Sequence, residues 1–402
     1  MTFALSAIAA LAGLWALSKV AGLRRAAEAP ALLLAAGAGL AMIARAAGAP
    51  ALPADWIAGA AEACLGALVF ISAAQFRVSR FAKRCPASFR LTLGGAPLFL
   101  AACSLGAFVL LPQLSMASAL LLGGALLLNG AAFDRRAVTE TPAPAAVKAA
   151  VRTESAAIIA LGAPIAFLLA GNAVAVAPDE SPLAPLLSSS IDVLQGFALG
   201  GLAGYCAARY ANENARRHGT AIAILAAIGS YLLCAVIGAE PVIAAGAAGL
   251  VWGEETTASI ASRLRLRRLV EQTVAPVAYF AFGCVLAPRI FEADLLSVIF
   301  AMAAVTIMRA GPRLAMLQGT DLPKESQAFL AWFGGAPGAA SALFVLALID
   351  DAMLVDHEAF LTVAALAVTA GVFAARLTSR PLANAFLRQS AIARKRRMYA
   401  AE

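Results

Sequence analysis

The chain has 402 residues, 62% of them hydrophobic and only 13% charged, with a formal net charge of +8. A soluble domain carries about 25% charged residues, so these figures exclude a soluble globular fold, and no polar stretch is long enough for a separate soluble domain. Apolar runs of about 20 residues recur from end to end, each able to cross a hydrocarbon core of ~30 Å; they are continuous, not alternating, which excludes a membrane barrel.

The runs predict an all-α polytopic membrane protein with about thirteen transmembrane helices. They fall at 2–20, 29–47, 56–75, 91–111, 115–133, 152–176, 188–208, 219–237, 240–252, 269–287, 293–310, 326–349 and 358–375. The first run lacks the charged start of a cleaved signal and leads directly into the next. Assigning the loops alternately to two sides separates the charges. One side receives Arg24 and Arg25, Arg77 to Arg84, Arg135 and Arg136, Arg209 to Arg217, Arg263 to Arg268, Arg313, Lys324 and the C-terminal bases. The other holds Arg45 and Arg289 together with Asp179, Glu180, Glu292, Asp294, Asp350, Asp351 and Asp356. The positive-inside rule makes the first side cytoplasmic, with the N-terminus out and the C-terminus in. The lipid bilayer, not nucleic acid, is therefore the partner of the basic charge. Residues 1–380 form the transmembrane domain, and 381–402 a basic cytoplasmic tail suited to anionic lipid.

Two runs look interrupted. The fifth carries Leu128-Asn129-Gly130-Ala131 near its end, followed by Asp134; the twelfth carries Gly334-Gly335-Ala336-Pro337-Gly338 in its interior. Gly and Pro at corresponding places in two halves point to broken helices around a midplane site. Spans five and twelve are an odd number apart and run in opposite directions, as an inverted repeat requires.

Ionisable residues inside a membrane mark functional sites. Glu154 opens the sixth run, and Arg309 lies late in the eleventh at a similar depth, so an ion pair between them would lower the cost of burying each. Asp134, Glu240 and Asp192 are further carboxylates near helix ends. The six cysteines lie in or beside spans without CxxC spacing and serve as small apolar fillers. His218 and His357 fall in loops without ligand spacing. No phosphate loop, dinucleotide fingerprint, zinc spacing or nucleophile elbow occurs, so the sequence predicts no cofactor, no metal and no enzyme.

Several stretches carry a resemblance. Arg152-Thr-Glu-Ser155 opening an apolar helix resembles the Glu-Ser-Leu-Leu-Asn-Asp motif of monovalent cation/proton antiporters of the Na+/H+ exchanger type. Tyr231 to Gly253, Ile307-Met-Arg309 and Leu330-Ala-Trp-Phe-Gly-Gly-Ala-Pro-Gly-Ala-Ala-Ser341 resemble, in order, that family's Ala-Gly-Leu segment, its Arg-bearing helix and its Gly-Trp-Phe-Gly-Pro-Arg-Gly-Leu-Ala-Ser motif. The resemblance implies a fold of about thirteen helices with inverted repeats and two crossing broken helices. It also implies a homodimer in a bacterial inner membrane, and exchange of protons for Na+, Li+ or K+. It places Glu154 and Arg309 at the positions of a conserved ion pair that ties the transport core together.

The departures from the family pattern matter as much. Its ion-binding Asp falls on Ile159 and the Asn beside it on Ile158. Its Thr-Asp-Pro falls on Gly130-Ala131-Ala132, and the Arg of Gly-Pro-Arg-Gly is missing from Gly335-Ala336-Pro337-Gly338. Exchange needs a carboxylate whose proton and cation compete, with a pKa raised by burial into the working range, and isoleucine supplies neither proton nor oxygen ligand. Two readings follow: an alternating-access antiporter with a degenerate site, Asp134 or Glu154 standing in for the lost carboxylate, or a transport-impaired or repurposed homologue.

Overall fold

The computed structural model describes residues 30–48, 53–75, 77–79, 81, 85–129, 145–174, 184–257, 265–268, 272–320, 322–351 and 354–399. The described residues are helical, joined by turns, with no strand beyond two isolated bridges. Ala, Leu and Gly dominate the helices, and small residues let helix backbones approach closely where no hydrophobic force acts between them.

In chain order the helices are α1 (Pro30–Ala46), α2 (Ala54–Ala73), α3 (Pro86–Leu110), α4 (Met116–Leu127), α5 (Ala145–Asn172), α6 (Ala184–Ile237) and α7 (Pro241–Glu255). They continue as α8 (Val274–Val285), α9 (Leu295–Val305), α10 (Ile307–Leu317), α11 (Lys324–Phe333), α12 (Ala339–Ala347) and α13 (His357–Tyr399). Among the described residues, seven stretches are long and apolar enough to cross a membrane, and α1, α4 and α8 are shorter apolar helices. The expected span 2–20 lies outside the described residues.

The expected loop between spans seven and eight is absent. The backbone stays helical from Ala184 to Ile237, so the basic stretch from Arg209 to Arg217 continues the helix, as does the backbone at His218. Nothing in Arg209-Tyr-Ala-Asn-Glu-Asn-Ala-Arg-Arg217 breaks a helix, because it contains neither Gly nor Pro. The turn after α6 needs Gly238 at φ +82°, and Pro241 then fixes the first turn of α7. His357 is likewise the first residue of α13, its Nε2 2.9 Å from the Leu348 carbonyl.

α6 and α7 pack through a stripe of glycines spaced four apart. A Cβ on Gly200 would overlap the Ala244 carbonyl, and one on Gly204 the Ala248 carbonyl. These obstacles are backbone and cannot swing aside, so Gly200→Ala forces the helices apart and costs about 1–3 kcal/mol. Thermal melts of the detergent-purified protein should show the loss.

At one end of the bundle the Val355-Asp356 pair ties three elements. Asp356 accepts from the Ser115 backbone N–H at 2.7 Å and from the Ser118 hydroxyl at 3.3 Å, which fixes the start of α4 to the start of α13. The Val355 N–H donates to the Ala173 carbonyl at 2.9 Å, bringing in the end of α5. α5 is a central helix, touching α2, α3, α4, α6, α7 and α11. Glu154 lies on it.

Candidate functional site: a crossing of two interrupted helices

The two predicted interruptions meet. α4 stops at Leu127, and the chain reaches Asn129, which forms an antiparallel backbone bridge with Pro337. Pro337 lies in the extended gap between α11 and α12, whose glycine-rich sequence cannot hold a helix: Gly335 takes φ +69°, and Pro337 lacks an N–H. The bridge leaves helix ends on both sides, and side chains satisfy part of what they expose. The Ser341 hydroxyl donates to the Leu128 carbonyl. Gly130, Ala131 and Asp134 lie outside the described residues.

Glu154 is fully buried, and its partner is Arg313, not Arg309. Arg313 Nη1 donates to Glu154 Oε1, and Nη2 donates to Oε2 at 2.8 Å, a two-pronged pair. The same guanidinium donates to two carbonyls at the C-terminal end of α11, Leu330 at 2.8 Å and Ala331 at 3.2 Å. Arg313 therefore caps the broken helix and neutralises Glu154 at once, the place a helix terminus favours a cation. The loop-side position expected for Arg313 is corrected in the same way: α10 extends to Leu317, and Arg313 is only 3% exposed.

Arg309 lies one turn earlier on the same face of α10. It too is fully buried, and its guanidinium carbon sits 5.1 Å from the centre of the Trp332 ring. Its turn lies level with Trp332, and both Glu154 oxygens are already taken by Arg313, so the expected pair with Glu154 does not form. Among the described residues, the buried ionic side chains are thus one carboxylate and two guanidiniums.

Beside the pair, the Ser155 hydroxyl donates to Asn129 Oδ1, which links the start of α5 to the interruption after α4. Asn129→Ala removes that fully buried hydrogen bond and should cost about 1 kcal/mol or more, read as a lower melting temperature than that of wild type. Ile158 and Ile159 are 3% and 0% exposed and belong to the main apolar cluster. They fill the face of α5 one turn beyond Glu154 with hydrocarbon. Glu240, by contrast, precedes the first turn of α7, with its backbone N–H 3.4 Å from the Asp192 carbonyl.

Sequence reasoning missed Arg313, Ser155, Ser341 and Trp332. The clue for Arg313 was its i+4 spacing from Arg309, which puts both on one helix face. The clue for Ser155 was its place next to a buried Glu.

The geometry can now be set beside known proteins. The family model described as sodium/hydrogen exchanger, transmembrane, matches residues 6–385. Among solved structures, the chain is similar to the sodium proton antiporter MjNhaP1 from Methanocaldococcus jannaschii at pH 8, with a TM-score of 0.66 and 16% sequence identity. That likeness covers 97% of this chain and 99% of the other. No curated protein matches the sequence.

Proposed function

Because the chain belongs to the sodium/hydrogen exchanger family, a family of integral multi-pass membrane transporters and not of enzymes, we propose that it is a secondary transporter exchanging protons for a monovalent cation by alternating access. The crossing of the two interrupted helices over a buried carboxylate carries this reading. Broken helices that meet at midplane hold polar backbone where an ion can use it. Glu154 is the carboxylate at that place, with Ser155 and Asn129 supplying oxygens beside it. In this reading the repeat is inverted, with about thirteen spans, the N-terminus out, and a homodimer in a bacterial inner membrane. Na+, Li+ or K+ is the counter-ion, and the basic C-terminal stretch lies on lipid.

One observation favours a second reading. Ile158 and Ile159 are packed into the apolar cluster, so cation and proton lack the carboxylate for which they would compete. On this reading the chain keeps the scaffold and has lost coupled exchange, or passes another solute.

Proton flux in proteoliposomes separates the two. Under an acid-inside gradient, with Na+, Li+ or K+ added outside, the first reading expects cation-dependent dissipation by wild type and none by Glu154→Gln. Size-exclusion profiles confirm that the variant is folded. Wild-type flux no faster than in empty liposomes for all three cations would sink the first reading.

A further inference from the structure

Among the described residues, the buried ionic side chains at the crossing carry one more positive charge than negative, and the surplus sits on Arg309. Its side chain is completely buried, and none of Nε, Nη1 and Nη2 has a hydrogen-bond partner. Stripping a guanidinium of water costs several kcal/mol unless charge and hydrogen bonds replace the water. The Trp332 ring returns only about 2 kcal/mol as a cation–π contact. The indole N–H of Trp332 donates to the Thr378 hydroxyl at 2.8 Å, which favours the ring's place over Arg309. Glu154 cannot serve either, because Arg313 holds both of its oxygens. A water molecule would satisfy N–H groups and leave the charge uncompensated.

A neighbouring element repeats the pattern. α3 contains a π-helical stretch, Leu91–Gly95, that packs against α10. Within it Thr92 is 6% exposed, and its hydroxyl has no partner. Such irregular turns recur at functional sites.

We propose that Arg309 is the binding residue for a small monovalent anion of the chloride class, held in the core of the bundle beside Trp332. The anion supplies the negative charge that the surroundings of Arg309 lack. With Ile158 and Ile159 buried on α5, the buried ionic side chains among the described residues there sum to one positive charge. Binding is read without an ion gradient, so the proposal stands or falls apart from cation exchange.

The test uses the 402-residue protein in detergent, comparing sodium chloride with sodium gluconate, whose anion is far bulkier than chloride, at equal ionic strength. Wild type should melt about 2–4 °C higher in chloride, with saturation. Arg309→Gln should lose the difference while melting in gluconate no lower than wild type. Bromide gives a second readout that needs no arginine variant. It should quench part of the tryptophan fluorescence of wild type saturably, and Trp332→Phe should abolish that part. Identical melting in chloride and gluconate, a chloride effect that persists in Arg309→Gln, or purely linear bromide quenching would overturn the proposal.

Discussion

Arg313→Met should destabilise the protein by about 3–5 kcal/mol, because it leaves a fully buried carboxylate without its counter-charge. It also uncovers the Leu330 and Ala331 carbonyls, which accept from the same guanidinium at the end of α11. Glu154→Leu should cost a similar amount for the opposite reason, leaving a second unpaired guanidinium next to Arg309. The double variant Glu154→Leu/Arg313→Met removes both charges together, and replacing a buried pair by apolar side chains is often close to neutral. The two losses therefore should not add: the double variant should melt well above the sum of the singles, the mark of direct coupling. Arg309→Met makes the contrast. That arginine holds no carboxylate, so its removal in gluconate should leave stability unchanged or raise it. Melting curves of the four purified variants decide the matter. Additive losses for Glu154 and Arg313, or a large loss in Arg309→Met, would reassign the pair.

Gly334→Ala should be nearly as damaging, at about 3 kcal/mol. A Cβ there would overlap Arg313 Nη2 and come within 2.9 Å of Glu154 Oε2. The far end of an arginine side chain ordinarily swings away at little cost. Here that end is fixed by Glu154 and by the Leu330 carbonyl, so moving it breaks the pair and uncaps α11. The glycine is required by the closeness of the ion pair to the backbone, and its own dihedral angles, φ −80° and ψ 154°, are ordinary. Gly334→Ala should therefore cost less in the Arg313→Met background than in wild type, since only Glu154 Oε2 is then left close to the added Cβ. Melting temperatures of the single and double variants check this.

Much of the architecture was legible because membrane spans announce themselves by length and hydropathy. The glycines and Pro337 in the twelfth run located the gap between α11 and α12, and Asn129 marked the end of α4. Glu154 stood out because a carboxylate in an apolar run has no bland explanation. Its partner was harder to read. Arg309 and Arg313 are one turn apart, and sequence spacing says nothing about which of the two lies level with Glu154. That is set by the end of α11, whose exposed carbonyls draw the guanidinium at Arg313. The basic stretch after Arg209 misled in another way. Positive charge near a span predicts a loop, while a stretch without Gly or Pro has every local reason to stay helical.

Ile159, buried in the apolar cluster one turn beyond Glu154, puts hydrocarbon where a carboxylate would face the crossing of the interrupted helices. Sodium-dependent proton flux in proteoliposomes, wild type against Ile159→Asp, tests this most directly. The account predicts slow exchange by wild type and a clear gain in Ile159→Asp, with lithium and potassium compared in the same vesicles. Fast wild-type exchange that Ile159→Asp leaves unchanged or slows would contradict it, because the missing carboxylate would then not limit coupling.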